Sequence, residues 1–506
     1  MVGAPLLLVC LNGGDVRVVS ELMEAGRLPV LSSLRERGVA VRLDVPADLV
    51  AEFVWGSLLT GRPPGEFGPI FPGFVPETMS LSFEREPASP HEPWWHHLPG
   101  RGRGVLVLDS PDLHPHPASQ ADEVCGWNVL EPPHDPYFTD AGLRRTLAPF
   151  GRPPPLLDSK LLETRAEEHA FSDALCDSAA LRGRAALALA EGRTVVCVGF
   201  HELHAGLHNF THHYHETHWA RPRDPDPELL TRAYEAVDGA LAPLVERFRD
   251  GNVVVVSALG GRPGNRAGHL LEGLLARAGL LTLRNSGIGP RGPGGELGWL
   301  TASLRRAAPA AWRERLAARL PVAVQHRLAS RRFRDQYVWS RTKLFPLAAW
   351  GAGQIRANVA GREAAGIVPP GELDELLTSA GELILEARDA DTGEPLAERV
   401  LRMPEVFPGS AAPRYPDLLV PWAGRRPASR AVHPSLGTWT AELGPGHFFS
   451  EHRDGGLVLA AGPGIRTIAG ELEADTLGLA ATLLALVDGR VPDGLPGEPW
   501  VEVIGG

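Results

Sequence analysis

Between His201 and His218 the chain reads HELHAGLHNFTHHYHETH, and inside that run His204 and His208 stand four residues apart. On a helix this spacing puts two imidazoles on one face, a turn apart, where both can aim at a single ion; His-x-x-x-His is a zinc-ligand spacing. The alternative is a solvated histidine-rich loop. His201, His212, His213, His215 and His218 extend the run and read mostly as surface residues of the loop after the helix, with lining the pocket or adding a substrate-binding cation as the alternative. Gly361-Arg362-Glu363 offers another chemistry. An Arg following a glycine can clamp a phosphate or sulfate bidentately, or it can pair with Glu363 and stabilise a turn. Arg362 is therefore a candidate substrate-binding residue, with the ion pair as its structural alternative.

These groups need elements to aim them. Pro5 to Leu11, Val105 to Asp109, Thr194 to Phe200 and Asn252 to Ser257 are short, continuous apolar runs, whereas Val16 to Glu24 and Leu31 to Arg37 carry helical periodicity. The alternation predicts an α/β fold, a mostly parallel sheet with helices on both faces, in which ligands sit beyond the carboxyl ends of the strands. Asn12, the histidines from His201 to His208, and Ala258 with Leu259 all follow such strands directly. The chain is read as a single domain over 1–506, with 62–155 and 285–350 as cap or insertion segments. A return to a strand is expected at Leu457 to Ala461.

Of the 506 residues, 43% are hydrophobic and 22% charged, enough for a large core or two in a globular protein. A net charge of -11 with no long basic stripe argues against nucleic acid, since the Arg-rich stretch from Arg305 to Arg341 alternates with apolar residues as amphipathic helices do. No apolar run is long enough to span a bilayer, and Met1 to Leu11 lacks a basic leader and reads as a buried first strand. Cys10, Cys125, Cys176 and Cys197 lie far apart, which suits reduced thiols in a cytoplasmic protein better than a disulfide framework. The expected partner is a small, anionic molecule; self-association into a homo-oligomer is compatible with the sequence and not specified by it.

At its strand ends the chain resembles the type I phosphodiesterase/nucleotide pyrophosphatase family of the alkaline phosphatase superfamily. LLLVCLNGGD followed by MEAGRLPVLSSLRERG is similar to that family's opening strand, which ends in Leu-Asp-Gly, and to the helix after it. AEFVWGSLLTGRPPGEFG resembles its Thr-x-x-x-Trp-x-x-x-x-Thr-Gly segment, VVVVSALGG stands where it has Ser-Asp-His-Gly, and SEHRDGGLVLAAGPGI resembles its His-x-x-x-Gly close. The order and spacing of these blocks cover most of the chain. The resemblance implies an alkaline-phosphatase-like central sheet and, in intact members, two neighbouring zinc or similar ions.

Carried across residue by residue, the first ion's ligands fall on His204, His208 and His452, with His204 replacing the usual Asp. A subgroup with Glu-x-His-x-x-x-His, and with counterparts of Arg356 and Gly361-Arg362-Glu363, also has His there. His447 is the competing third ligand, but His452 fits the closing motif. The second ion's ligands fall on Asn12, Ala51, Ala258 and Leu259. A carboxamide is a weak ligand for a divalent cation and aliphatic side chains offer no lone pair, so one ion is expected and the second site absent. Ala51 also removes the hydroxyl that would attack phosphorus. Asp48 or Ser57 would restore a polar group only if the register shifted, which Trp55 and Thr60-Gly61 oppose.

Three readings follow. The first is a mononuclear metal-dependent enzyme acting on an anionic ester without a covalent Thr/Ser intermediate, with Asn12 and Arg362 as substrate contacts and Glu52 as catalytic base or substrate orienter, a surface salt link at the helix start being the alternative for Glu52. The second is a pseudoenzyme that binds a ligand or partner and keeps a structural zinc. The third is a scaffold repurposed for non-hydrolytic biosynthetic chemistry. His134-Asp135-Pro136 and Trp94-Trp95 are expected to pack a cap.

Overall fold

The computed structural model describes residues 3–45, 53–66, 73–82, 92–98, 104–111, 119–128, 136–152, 156, 162–264, 267–284, 321–347, 352–409, 414–424, 426–441, 450–453 and 455–505. Ala51 and Glu52, Asp48, His134-Asp135, His447, and the greater part of the span 285–350 lie outside them.

Eleven strands matter to the site: β1 Leu6–Leu11, β2 Val39–Asp44, β3 Val105–Leu108, β4 Asp122–Cys125, β5 Tyr137–Phe138, β6 Val195–Phe200, β7 Asn252–Ser257, β8 Gly260–Pro263, β9 Ser450–Arg453, β10 Gly456–Ala461 and β11 Glu471–Asp475. Nine of them form one sheet in the order β11-β2-β10-β7-β1-β6-β3-β4-β5. β1 pairs in parallel with both β6 and β7, and only β10 and the short β5 run antiparallel to their neighbours. β1 has no polar residue because both of its faces are covered. Leu7, Val9 and Leu11 enter one apolar core with helices α1 Val16–Glu24, α2 Pro29–Glu36, α4 Arg165–Leu189, α5 Glu202–Tyr214 and α6 Glu228–Arg247. Leu6, Leu8 and Cys10 enter the opposite core with α3 Val54–Thr60 and α7 Gly478–Asp488. Each such leucine or valine contributes about 1.5–3 kcal/mol by leaving water.

Local signals start the helices. Asp15 accepts from Arg17 N and Val18 N at the head of α1, and Thr164 with Glu167 closes a capping box on α4. The long α4 lies against α6, and together they cover α5. A third apolar core gathers Phe74 and Leu81, the helix Gly268–Arg277, Phe333, and a four-stranded antiparallel sheet built from Leu344–Pro346, Gly353–Ala357, Leu418–Val420 and Leu401–Arg402. Of the span 62–155, the hairpin at Gly73–Ser82 joins this third core while β3 and β4 belong to the central sheet. Among the described residues no helix is long and apolar enough to cross a membrane, and all four cysteines are free thiols.

Candidate metal centre

α5 starts where β6 ends, so its first two turns project beyond the carboxyl edge of the sheet and carry His204 and His208 on one face. β8 and β9 form a separate antiparallel ribbon at the same edge, in which Gly261 stands opposite His452. The three imidazoles meet there. One ring nitrogen from each lies within 4.8 Å of the others, and His204 Nε2 is 3.1 Å from His452 Nε2. Two nitrogens on a tetrahedral ion at about 2.0–2.1 Å stand about 3.3 Å apart, so this donor set fits a zinc-like cation. His204 and His208 are buried, while His452 is half-buried on the open side.

The outer contacts fix which nitrogen faces inward. His208 Nδ1 lies 3.2 Å from the Ser450 carbonyl, which can only accept, and His452 Nδ1 lies 3.4 Å from the Gly260 carbonyl. The carbonyls favour a proton on Nδ1, with the Ser450 hydroxyl also 3.1 Å from His208 Nδ1, and in the neutral imidazole that tautomer leaves Nε2 for an ion, the arrangement that second-shell carbonyls impose on ligating histidines. Close backbone approaches set the spacing. Gly13 has φ +80°, and a Cβ there would lie 2.3 Å from His204 Cα; a Cβ on Gly261 would lie 2.4 Å from Leu207 Cδ1. Asp15, which caps α1, also accepts from Gly261 N at 2.7 Å and so ties the His452 ribbon to the end of β1.

Of the four positions where the resemblance puts the second ion's ligands, Asn12, Ala258 and Leu259 are among the described residues, and all three are engaged with protein neighbours. Ala258 and Leu259 are fully buried in the same apolar core as Val54 and Trp55. Asn12 is 3% exposed and bonded at both ends of its amide: Trp55 Nε1 donates to Oδ1 at 3.0 Å, and Nδ2 lies 3.1 Å from His201 Nδ1. The sequence offered Asn12 to a substrate, but both polar atoms are committed to protein partners. Arg362 is similarly engaged. Its guanidinium grips both oxygens of Asp417 at 2.7 Å, donates to the Ala357 carbonyl, and sends Nε to Glu363 at 2.9 Å, so the ion pair weighed as its alternative is present. Arg356, fully buried, shares Glu363 at 2.7 Å.

The remaining histidines correct the sequence reading. His201, His212, His213, His215 and His218 are 4%, 7%, 1%, 6% and 5% exposed, not surface residues, because α5 runs on to Tyr214 beneath α4 and α6. His212 and His213 even form a second potential ligand group with Glu168. The proton on His213 speaks against an ion there. Its Nδ1 accepts from Asp226 N at 3.0 Å, so Nε2 holds the hydrogen and donates to Glu168 at 3.2 Å. Burial pushes the His213 imidazole below its ordinary range, only partly opposed by Glu168.

Sequence reasoning also missed a charged knot under the site. Arg182, Asp109 and Glu202 have side chains with no solvent exposure; Arg182 Nη1 donates to Asp109 at 2.8 Å and Nε to Glu202 at 3.0 Å. Ser178 adds a 2.7 Å bond to Glu202, and Asp109 also takes the backbone N–H groups of Trp127 and Asn128. An arginine in the middle of an alanine-rich helix and a glutamate at the first position of α5 were the available signals.

A mostly parallel sheet clothed in helices, with histidines gathered past its carboxyl edge, is the alkaline-phosphatase-like architecture. The structure superposes on wild-type alkaline phosphatase PafA with a TM-score of 0.52 at 13% identity, covering 100% of both chains. It superposes on murine ectonucleotide pyrophosphatase/phosphodiesterase 5, in an inactive form in complex with AMP, with a TM-score of 0.50 at 11% identity over 99% of this chain and 100% of that one. The human form of that protein gives the same score, 0.50, at 11% identity and the same coverage. Residues 6–426 match the profile of the type I phosphodiesterase / nucleotide pyrophosphatase family, and the chain belongs to that family. No curated protein matches it in sequence.

Proposed function

We propose that this protein is a mononuclear metal-dependent enzyme that acts on a small anionic ester, or on a related biosynthetic substrate, without a covalent Thr/Ser intermediate. The observation that carries the reading is the contrast at the sheet edge. Three imidazoles converge, with the Nε2 atoms of His204 and His452 facing each other, while Asn12, Ala258 and Leu259 are spent on hydrogen bonds and apolar packing. His204, His208 and His452 would hold one zinc-like ion, and such an ion would supply Lewis acidity toward a substrate oxygen. Glu52, next to Ala51 in the sequence, would take the proton as general base, a role its place beside the vacated nucleophile position suggests. The anionic substrate class is in keeping with the family and with the AMP bound by the murine relative. Four free thiols are in keeping with a cytoplasmic setting.

A second reading has its own support. Asn12 and Arg362, the two residues best suited by sequence to hold an anion, have their polar atoms bonded to protein, which favours a ligand-binding pseudoenzyme with a structural zinc. The deciding experiment measures metal content and turnover together. Wild type, His452→Ala and Leu259→Ala are purified without added metal and analysed for bound ions. Each is then assayed on phosphomonoesters, phosphodiesters, sulfate esters and phosphonates, with and without chelator. One ion per chain, lost in His452→Ala and kept in Leu259→Ala, with chelator-sensitive turnover of one substrate class, supports the enzyme. One ion and no turnover on any class supports the pseudoenzyme. Two ions per chain, or none, overturns both.

A further inference from the structure

We infer that Asn12 and His201 are positioning residues, links in a one-directional hydrogen-bond relay that registers the first turn of α5, and with it His204 and His208, against His452. The inference rests on the three-histidine reading proposed above. The relay runs from Trp55 Nε1 to Asn12 Oδ1 at 3.0 Å, from Asn12 Nδ2 to His201 Nδ1 at 3.1 Å, and from His201 Nε2 to the Asp109 carbonyl at 2.9 Å.

Each link fixes the next. An indole N–H only donates, so the Asn12 atom facing it is the oxygen and the amide nitrogen faces His201. An amide nitrogen only donates, so His201 Nδ1 is bare and its proton sits on Nε2. A carbonyl only accepts, so the Asp109 oxygen agrees with that tautomer. No proton in the relay is free to choose its place.

The two ends are anchored. Asp109 adopts the left-handed region, φ +48°, and its carboxylate is held by Arg182 and by the backbone of Trp127 and Asn128. Its carbonyl reaches His201 because residue 199 is glycine; a Cβ there would lie 2.1 Å from that oxygen. At the other end Trp55 is fully buried in the core that includes Ala258 and Leu259. His201 immediately precedes α5, one turn before His204, and Gly13 beside Asn12 lets β1 approach His204 Cα. The relay thus clamps α5 from below, at the level of its first ligand.

The test uses the full chain with Co2+ as probe. Long-range 1H–15N spectra of the metal-free protein, labelled at histidine, show the His201 tautomer directly; a single Nε2–H form with bare Nδ1 is expected, and an Nδ1–H or averaged form overturns the inference whether or not cobalt binds. Titration then compares wild type with Asn12→Asp, which is isosteric but turns an acceptor toward the bare Nδ1, and with His201→Gln, whose amide can accept at one atom and donate at the other. Asn12→Asp, one step further from the ligands than a group bonded to them directly, is expected to bind cobalt about 10-fold more weakly, the lower end of the loss on removing an outer-shell partner, with His201→Gln closer to wild type. If Asn12→Asp instead raises the stoichiometry to two ions, Asn12 is a ligand position and not a relay, and if it binds one ion with wild-type affinity the relay does not set the site; either overturns the inference. If Asn12→Asp fails to fold by circular dichroism, His201→Gln and His201→Leu decide: equal affinity in the two overturns the relay. Failure of wild type itself to bind cobalt would refute the three-histidine reading, whereas the wrong tautomer at His201 in a protein that does bind cobalt would refute the relay alone.

Discussion

Substituting Gly13 by alanine strikes the metal centre without touching a ligand. The added Cβ would stand 2.3 Å from His204 Cα and 2.6 Å from its backbone nitrogen, whereas ordinary contact begins at 3.4 Å. Both obstacles are backbone atoms of a helix pinned by α4 and α6, so no side-chain rotation relieves them. Either the turn after β1 or the first turn of α5 must retreat by about 1 Å, while coordination tolerates about 0.2 Å. The left-handed φ of +80° adds about 1–2 kcal/mol of its own. Gly26→Ala separates the two effects, because Gly26 has φ +71° and nothing within 4 Å of its would-be Cβ. Gly26→Ala is expected to lose only the backbone term and to bind cobalt like wild type. Gly13→Ala is expected to lose at least twice as much stability in urea and to bind cobalt at least tenfold more weakly. Equal stability losses in the two variants, with cobalt affinity unchanged in both, would refute the steric reasoning.

Chelation or mild acid is expected to lower the thermal midpoint and to speed hydrogen exchange first in 450–453 and 455–465, because His452 ties that ribbon to α5; unchanged exchange there would break the link. Burial holds the His213 imidazole below its ordinary range, so as pH drops below 6.5 the unfolded chain takes up a proton before the folded chain does; stability is complete above about pH 7 and falls below 6.5, by up to about 1.4 kcal/mol per pH unit, until the folded imidazole titrates as well. Denaturation midpoints from pH 7.5 to 5.5 check this, and His213→Gln should flatten that limb. Arg182→Met leaves Asp109 and Glu202 buried without a counter-charge and is expected to cost about 3–5 kcal/mol in urea denaturation; a loss under 1 kcal/mol would show the knot to be solvated. Turnover of p-nitrophenyl phosphate and bis-p-nitrophenyl phosphate with zinc or manganese is expected to be negligible, and rates typical of a phosphodiesterase would point to a nucleophile other than residue 51.

The strands β1, β6 and β7 were legible because a strand buried on both faces writes itself as an unbroken apolar run. β11 was not, since Glu471–Asp475 is an edge strand with alternating exposed residues, held by backbone pairing to β2 alone. The His204–His208 pair was legible from helical spacing, and His452 from its motif. The burial of His212, His213 and His218 was not, for nothing local records that two other helices roof α5. Asn12 shows the limit most clearly: the residue type said that it was a poor ligand, but only the fold brings Trp55 and His201 to its two ends.

The ribbon that carries His452 also dictates an order of birth. His204 and His452 are separated by 248 residues, which a ribosome adding 5–20 residues per second takes about 12–50 s to traverse. Once β7 has been made, the slot between it and β2 stays vacant for the rest of that interval, because its occupant, β10, follows the ribbon in the chain. A nascent chain therefore presents the bare edge of β7, and a β2 without either of its partners, beside an unfinished cluster of histidines, the kind of template on which β-rich chains aggregate. Filling of that slot by β10 and delivery of the third imidazole fall within a dozen residues of each other, so joining β2 to the sheet and finishing the centre are one late event of synthesis.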